Sequence, residues 1–259
     1  MKELLATARI LAKEAGDHIR QSASQLRQVD YKGRVDMVTD VDRRSEEIIL
    51  DGIRRAYPDH AVLAEESGEN EAHSDYRWIV DPIDGTTNFV HGYPFYCVSI
   101  AVQYRQETVA AMVLNPVSGE LFSAHKGGGA KLNGEPIAVS ATGDLSRALL
   151  ATGFPYQLGE RWQHSMTLFE AFYRNSHGVR RDGAAALDLC YVAAGRFDGF
   201  WEYDLQPWDV AAGLLIVEEA GGRATDFEDK PSGLYDRQVL ASNARIHGEM
   251  LQVIGSHSL

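Results

Sequence analysis

Cysteine is scarce in this chain, with only Cys97 and Cys190 among 259 residues. Neither has a second cysteine or a histidine nearby at the spacing of a metal site. The sequence therefore does not predict a disulfide framework or a zinc ribbon. Both cysteines lie in apolar stretches, which indicates two buried free thiols.

Positive charge is also in deficit. Lys and Arg number 25 against 37 Asp and Glu, which gives a net charge of −12. Proteins that bind nucleic acid neutralise phosphates with basic surfaces, so this acidic chain without a Lys/Arg run is a poor candidate for direct nucleic-acid binding. The same charge repels an anionic small molecule unless a metal cation lies between the two.

Long apolar runs are missing as well. No stretch approaches the roughly 20 apolar residues of a membrane-spanning helix. Charged residues interrupt residues 1–20, where a secretion signal would have an apolar core. We therefore expect a soluble cytoplasmic protein. Hydrophobic residues make up 44% of the chain, which is enough for a buried core.

The pattern of predicted elements changes near residues 140–147. Before this break, strands follow one another closely, whereas strands and helices alternate after it. We predict a single domain over residues 1–259, made of subregions at about 1–143 and 144–259. A cleft between such subregions is the expected place for an active site.

Apolar residues at helical spacing predict a first helix over residues 2–22. Thr39, followed by Asp42, predicts the capped start of a second helix that ends near Tyr57. Residues 30–36 are polar and predict a loop or loose hairpin. Further helices are predicted over residues 161–173, 184–194, 207–220 and from about 245. Strands are predicted over residues 61–64, 78–80, 96–104, 108–114, 120–124, 148–152, 197–203 and 239–241, with a hairpin at 133–134.

The segment Asp81–Thr87 carries most of the candidate chemistry. It follows an apolar strand directly. A turn at Pro82 can bring the carboxylates of Asp81 and Asp84 toward one point, with the Ile83 carbonyl between them. Oxygen ligands of this kind suit Mg²⁺ or Mn²⁺ rather than zinc.

The residues after these aspartates favour an anion site. Gly85 lets a ligand approach the backbone closely. A short helix from Thr86 would present its first amides to an anion. A purely structural interpretation is equally open on the spacing alone, with the two aspartates flanking a turn and capping a helix.

Other acidic residues are open to the same two interpretations. Glu65 and Glu66 follow a predicted strand, where paired acids usually form a solvated edge. Asp209 lies in the first turn of an apolar helix, where an acid stabilises the helix dipole. Asp42 is explained as part of a cap. Local structure accounts for each acid singly, so only their convergence in space would make a site.

Together, these motifs resemble those of the inositol monophosphatase family, in its bacterial type. Trp78–His91 is similar to the main signature of the family, and Trp208–Gly213 to a second signature. Glu65–Ser67 resembles the upstream glutamate motif. Residues 35–39, with Asp42, resemble the N-terminal loop and helix start. The order of the motifs fits the whole chain.

The resemblance implies a five-layered αβαβα sandwich that pairs as a homodimer. It also implies an enzyme that hydrolyses small phosphate monoesters, most of all inositol 1-phosphate. The attacking water would be activated by two or three Mg²⁺ ions, for which Mn²⁺ can substitute. Lithium would inhibit by competing at the second metal position.

Metal ligands follow from the resemblance, residue by residue. The implied ligands are Glu66, Asp81, the carbonyl of Ile83, Asp84 and Asp209. One metal would lie on Glu66, Asp81 and the carbonyl. A second would share Asp81 with Asp84 and Asp209. Glu66 would also help to place a third, weaker ion through water.

Catalytic and substrate roles follow in the same way. Thr86 and Asp42 would position and deprotonate the attacking water. Glu66 is the third implied catalytic residue. The implied substrate contacts are Asp84, Gly85, Thr86, Gly183, Ala185, Glu202 and Asp209, with the phosphate on the amides of residues 85 and 86. Ala184 stands where the family often carries Ser or Thr, which removes one polar contact.

Two alternatives accompany this reading. Fructose 1,6-bisphosphate and other sugar or nucleotide phosphates are alternative substrates. Residues 180–199 resemble bacterial members, one of which also binds transcription antitermination machinery. A regulatory partner role with residual phosphatase activity is therefore a second hypothesis, with Arg180 and Arg181 as candidate contacts. Surface ion pairs or dimer contacts would explain the same two arginines.

Overall fold

The computed structural model describes residues 1–23, 29–31, 37–70 and 72–257. Within these ranges, the α-helices are α1 (Lys2–Ser22), α2 (Asp40–Ala56), α3 (Thr86–His91), α4 (Glu160–Asn175), α5 (Ala185–Ala193), α6 (Pro207–Glu219) and α7 (His247–Gly255). The strands are β1 (Val29–Tyr31), β2 (Met37–Thr39), β3 (Ala61–Ala64), β4 (Gly68–Glu69), β5 (Tyr76–Asp84), β6 (Cys97–Tyr104), β7 (Glu107–Leu114), β8 (Leu121–His125), β9 (Ala130–Leu132), β10 (Glu135–Pro136), β11 (Leu149–Thr152), β12 (Gly178–Arg180), β13 (Gly199–Tyr203), β14 (Arg223–Thr225) and β15 (Gln238–Ser242).

Most predicted elements are present, with bounds that differ by a few residues. The short strands β4, β12 and β14 have no counterpart in the prediction, because two or three residues are too few to show alternation. β1 and β2 pair antiparallel and flank the predicted loop. Residues 32–36, which include motif positions 35 and 36, lie outside the described residues.

The larger sheet has eight strands in the order β10-β9-β8-β7-β6-β5-β3-β4. Its neighbouring strands are antiparallel, except for β3 and β5, which run parallel. α1 and α2 pack together on one face of this sheet and bury their apolar stripes against it. Gly52 allows the two helices to approach closely, because a Cβ there would lie 2.1 Å from a methyl of Leu11.

The smaller sheet has five strands in the order β12-β11-β13-β15-β14. β11 runs parallel to both of its neighbours, whereas β15 is antiparallel to β13 and β14. α4 and α7 cover the outer face of this sheet. Phe172 from α4, Met250 from α7 and Trp201 from β13 belong to the buried cluster beneath them.

α5 and α6 form the middle layer between the two sheets. Each helix contacts strands of both sheets, and buried residues of both form one apolar cluster. The two helices lie in tight contact, since a Cβ at Gly213 of α6 would lie 2.6 Å from a methyl of Leu189 on α5. The layer order is therefore helix, sheet, helix, sheet, helix, and the prediction of a five-layered αβαβα sandwich is confirmed.

Cys97 and Cys190 are buried and free, as predicted. Across the described ranges, no helix combines the length and the apolar character that crossing a bilayer requires. The larger sheet draws its strands from residues 61–136, and the smaller sheet from residues 149–242.

Candidate metal centre

β5 carries two aspartates to one end of the larger sheet. Its register with β6 shifts between Asp81, which pairs with Ser99, and Asp84, which pairs with Cys97. Residues three apart on a regular strand point to opposite faces, whereas a bulge restores them to one side. Pro82 fits inside this bulge because it has no N–H to give to the ladder. Asp81 and Asp84 consequently line one cavity, and β5 extends past its predicted end.

Gly85 follows this bulge in a left-handed conformation, with φ at +91°. A Cβ there would lie 3.1 Å from the carbonyl oxygen of Phe95 and 3.2 Å from Ala184 Cβ. Glycine is needed for both reasons. The close approach sets the start of α3 against the segment that precedes α5, and so joins the two halves of the chain at the cavity.

Thr86, the first residue of α3, contacts a buried carboxylate. Its hydroxyl lies 2.9 Å from Asp42 Oδ1 and 3.0 Å from the carbonyl oxygen of Ile83, and can donate to either. Asp42 also accepts the backbone N–H of Thr39 at 2.8 Å and completes the capping box of α2. Burial raises the pKa of Asp42, although the hydrogen bonds from Thr39 and Thr86 oppose this. One side chain thus satisfies both the capping and the functional interpretation.

Residues from both sheets line a cavity of about 410 Å³. Its acidic lining residues are Glu65, Asp81, Asp84, Glu202, Asp204 and Asp209. Four of these, Glu65, Asp81, Asp84 and Asp209, are called the carboxylate side below. Gly153, Arg181 and Glu202 are called the arginine side. Within the described part of the chain, Arg181 is the one cationic residue that lines the cavity. The remaining predicted site residues in its wall are Ile83, Gly85, Thr86, Gly183 and Ala185.

Asp81 is the most deeply buried member of the carboxylate side, at 2% exposure. Its Oδ1 atom has no hydrogen-bond partner in the described structure. Burial raises the pKa of Asp81 well above its usual range, and the charges of Glu65, Asp84 and Asp209 raise it further. A buried carboxylate oxygen without a partner is costly, so this position favours a cation.

Asp84 and Asp209 each cap a helix that starts at the cavity. Asp84 Oδ2 accepts the N–H of Ala186 at 2.7 Å, at the start of α5. Asp209 Oδ2 accepts the N–H of Gln206 at 2.7 Å, at the start of α6. Burial raises the pKa of Asp84 to about 7, although the Ala186 N–H opposes the shift. With Asp42 at the start of α2, an aspartate carboxylate thus accepts a backbone N–H at the start of each of three helices, α2, α5 and α6.

The Glu65–Glu66 pair lies in the turn between β3 and β4. Glu65 lines the cavity, and its charge is the main cause, after burial, that raises the pKa of Asp81. Glu66 does not line the cavity. The assignment of metal and catalytic roles to Glu66 therefore needs correction, because the structure brings its neighbour Glu65 to the carboxylate side.

Backbone contacts explain which of the two acids faces inward. The N–H of Glu66 donates to Glu46 Oε2 at 2.8 Å, which ties this residue back to α2. Arg43 donates a hydrogen bond to Asp30, which is the main cause that raises the pKa of its guanidinium, and the charge of nearby Glu66 raises this pKa further. The turn is thereby oriented with Glu65 toward Asp81 and Glu66 toward the helix surface.

The carboxylate side fits a hard divalent cation by its chemistry. Its donors are all oxygens, and one of them, on Asp81, is buried without a partner. Over the described ranges, no three or more His, Cys, Asp or Glu side chains already stand in an arrangement that would hold an ion. The acids therefore line one cavity and interact through their charges, but they are not arranged as a complete set of metal ligands. The ligand assignment stays a prediction.

The arginine side depends on close packing around a glycine. The carboxylate of Glu202 lies against Gly153, where a Cβ would be 2.0 Å from Glu202 Oε1. Burial raises the pKa of Glu202 to about 8, although the charge of Arg181 lowers it. Arg181 itself is exposed, with its guanidinium close to Gly183. The interpretation of Arg181 as a surface or partner contact missed this place in the cavity wall; its position two residues before Gly183 was the available signal.

Comparisons with known proteins identify the family of the chain. The family model described as "Inositol monophosphatase family" matches residues 1–258. The chain belongs to the inositol monophosphatase family. It is 45% identical to "Phosphatase IMPL1, chloroplastic" of Arabidopsis thaliana, over 97% of this chain and 70% of that protein. It is 43% identical to "Inositol-1-monophosphatase" of Synechocystis, over 97% and 88%.

Relatives under another name are equally similar. The chain is 42% identical to "Nus factor SuhB" of Pseudomonas aeruginosa, over 99% of this chain and 97% of that one. The crystal structure of the extragenic suppressor protein suhB from Bartonella henselae superposes with a TM-score of 0.94 at 40% identity, covering 97% and 98% of the two chains. Membership of this family of metal-dependent phosphatases supports a phosphatase activity for the chain.

Proposed function

We propose that the chain hydrolyses small phosphate monoesters with Mg²⁺ bound at the carboxylate side, and that inositol 1-phosphate is its preferred substrate. The observation that carries the proposal is Asp81 Oδ1, a buried carboxylate oxygen without a hydrogen-bond partner, among three further acids. We assign the ligands as Glu65 in place of Glu66, with Asp81, Asp84, Asp209 and the carbonyl of Ile83. Mn²⁺ meets the same requirement for oxygen ligands.

A bound divalent cation would supply positive charge to the acidic cavity. Divalent ions at such a site neutralise the phosphate and promote the ionisation of water. They also remove the repulsion between a dianionic substrate and a chain of net charge −12. Two or three ions are consistent with the four acids that form the carboxylate side.

Thr86 and Asp42 form a route for the proton of the attacking water. The Thr86 hydroxyl donates to Asp42 Oδ1 at 2.9 Å, which leaves its lone pairs for a water in the cavity. As the water loses a proton to Thr86 Oγ1, the hydroxyl proton passes to Asp42. The raised pKa of buried Asp42 makes this carboxylate a better proton acceptor than an exposed one.

The phosphate is placed at the start of α3. Gly85 and Thr86 line the cavity there, and the first amides of a helix have no intrahelical partner. They are natural donors to an anion. Gly183, Ala185 and Glu202 lie farther along the wall and would contact the alcohol part of the substrate.

The test is phosphate release from inositol 1-phosphate by the purified chain, with Mg²⁺ and after exhaustive chelation by EDTA. We expect hydrolysis with Mg²⁺ and none without. Activity that survives chelation contradicts the metal-dependent mechanism. A panel of sugar and nucleotide monophosphates in the same assay ranks the substrates.

One observation favours a second substrate, fructose 1,6-bisphosphate. Among the described residues, Arg181 is the one cationic residue of the cavity wall, and it lies on the arginine side, where the alcohol part would bind. A guanidinium there would pair with a second phosphate. The Arg181→Ala variant should then lose more activity on the bisphosphate than on inositol 1-phosphate. Equal losses on both substrates would contradict this role.

Further properties belong to the same proposal. The family resemblance supports a homodimer, inhibition by lithium and a cytoplasmic location. The relatives named SuhB support a partner role in transcription, for which exposed Arg180 on β12 is the candidate contact. Light scattering measures the dimer. Capture of RNA polymerase factors by the unmodified chain, but not by Arg180→Ala, tests the partner role.

A further inference from the structure

The buried face of α2 is polar over its first half. Asp42, Ser45 and Glu46 lie at positions i, i+3 and i+4 and are exposed by 0%, 0% and 4%. The same stripe continues as Ile49 and Ile53, which pack in the apolar core. Three buried polar side chains at the start of a core-facing stripe need partners. Each has its partner in a different segment of the candidate site.

Glu46 holds the turn that carries Glu65. Its Oε2 accepts the N–H of Glu66 at 2.8 Å, and its Oε1 accepts the N–H of Ser67 at 2.9 Å. One carboxylate bound to two successive amides is a charge-assisted contact that fixes orientation as well as position. Because Glu65 directly precedes these two amides, Glu46 sets the direction in which the Glu65 side chain leaves the turn.

Ser45 holds the bulge of β5. Its hydroxyl donates to the carbonyl oxygen of Pro82 at 3.0 Å, in a buried position. Pro82 lies between Asp81 and Asp84, where the ladder to β6 is interrupted. The Ser45 hydroxyl therefore takes the place of a missing ladder hydrogen bond. It fixes the backbone that aims the two aspartates into the cavity.

A single helical turn thus contacts three segments that are distant in sequence. Asp42 contacts Thr86, Ser45 contacts the bulge, and Glu46 contacts the turn after β3. The capping box with Thr39 satisfies the N–H groups at the start of this turn and stabilises its helical geometry. The relative positions of the three segments are therefore set by the geometry of α2.

We infer that Ser45 and Glu46 are positioning residues that set the metal affinity of the carboxylate side. They touch neither metal nor substrate and act through the Pro82 carbonyl and the Glu66 and Ser67 amides. Mg²⁺ requires near-ideal ligand geometry. Residues that hold the ligands in place by hydrogen bonds therefore affect how tightly it binds. The inference rests on the proposed metal-dependent function and adds residues that the family motifs do not contain.

The main test replaces Glu46 by Gln. One carboxylate oxygen becomes an NH₂ group that faces a backbone N–H, so one of the two hydrogen bonds is lost. The matched control is Glu47→Gln on the same helix, an exposed residue paired with Arg44. Mn²⁺ affinity is measured by calorimetry without substrate, thermal melting is measured in EDTA, and kcat and KM are measured against Mg²⁺ concentration.

We expect Glu46→Gln to weaken Mn²⁺ binding by roughly tenfold or more. Its melting temperature in EDTA should fall somewhat below that of the control, because one buried hydrogen bond is lost. The Mg²⁺ concentration for half-maximal rate should rise by the same factor, with a smaller change in kcat. Ser45→Ala should shift both quantities in the same direction by less. A change that affects folding alone would move the melting temperature and leave the affinity unchanged.

Other outcomes contradict the inference. Wild-type Mn²⁺ affinity in a folded Glu46→Gln protein overturns it, and so does an equal loss in Glu47→Gln. If Glu46→Gln does not fold, Ser45→Ala carries the test, and unchanged affinity there overturns the inference. Absence of Mn²⁺ binding by the unmodified chain contradicts the proposed function instead, so the two failures are distinguishable.

Discussion

The two sides of the cavity are built in different ways. On the carboxylate side, Asp84 and Asp209 are tied to backbone amides at helix starts, and the turn of Glu65 is fixed by Glu46. On the arginine side, Arg181 is exposed and Glu202 is placed by packing against Gly153. Backbone hydrogen bonds thus hold acids of the carboxylate side, whereas close packing and the charge of Arg181 act on Glu202 on the arginine side. Under the proposed function, we expect substitutions to change the substrate preference more readily than the reaction.

The largest effect is expected from removing a ligand while keeping its cap. Asp84→Asn and Asp209→Asn each retain a side-chain oxygen that can accept the same backbone N–H. Turnover should fall by more than the roughly 10–100-fold that is typical when a residue that hydrogen-bonds to a metal ligand is removed. Melting temperature should change little. Near-normal rates in either variant would show that the carboxylate side has only a structural role. The control is Asp229→Asn, at an exposed residue that forms an ion pair with Arg223.

Thr86→Ala should come next in magnitude. The change removes the hydroxyl between water and Asp42, and general-base assistance is typically worth roughly 10²–10⁴-fold. The loss should lie in kcat rather than KM, because the phosphate amides remain. Thr86→Ser restores the hydroxyl and should recover much of the rate. Equal inactivity of both variants would mean that the methyl group, not the proton route, is what matters.

Without bound metal, the carboxylate side and the arginine side should each make the stability of the fold depend on pH, over different pH ranges. In the folded, metal-free chain the pKa of Asp84 is about 7 and that of Glu202 about 8. Both titrate at about pH 4 when unfolded. A raised pKa favours the protonated folded state, so its stabilisation is complete below about pH 4. It is lost as the pH rises through about 7 to 8.

Thermal melting tests this expectation. In EDTA, the melting temperature should fall between about pH 5 and about pH 9. Mg²⁺ should restore stability at the high end by compensating Asp81 and Asp84. Glu202→Gln should raise the melting temperature at high pH both with and without Mg²⁺, because Glu202 lies on the arginine side. A pH-independent melting temperature in EDTA would contradict the raised pKa values.

The smallest effect is expected on the arginine side. Gly153→Ala places a Cβ 2.0 Å from Glu202 Oε1 and must displace that carboxylate. KM for inositol 1-phosphate should rise by roughly tenfold, with kcat affected less. Gly159→Ala, where a Cβ would meet no atom within 4 Å, is the matched control. A larger loss in kcat than in KM would place Glu202 in the reaction rather than in alcohol recognition.

Apolar spacing and turn residues, which are local signals, predicted most elements, whereas the layered fold was predicted from the family resemblance of the motifs. The sequence left the acids open to capping or to function. The structure shows Asp42 capping α2 while it contacts Thr86, and Asp84 accepting an N–H of α5 while it lines the cavity. The motif resemblance assigned the ligand to Glu66 rather than Glu65, since adjacent acids in a turn carry no sign of direction. That direction depends on Glu46, twenty positions before Glu66, whose contact appears only when α2 packs against the larger sheet.

Ser45 and Glu46 did have a local signal. They continue the apolar stripe of α2 with polar residues, at positions where the helical spacing requires burial. Polar residues on a core-facing stripe indicate a bound partner. What the sequence could not supply is the identity of that partner, because Pro82 and Ser67 reach the helix through sheet topology.

The tight contact at Gly213 has a consequence for directed evolution. α5 and α6 both start at the cavity and then run in contact, with no room for a methyl between Gly213 and Leu189. A selection for heat resistance that repacks this middle layer will also shift the starts of both helices, and activity will drift with stability. Selections that repack α7, which packs on the outer face of the smaller sheet, should leave the rate unchanged. That outer layer is therefore where the protein can adapt to temperature without disturbing the cavity.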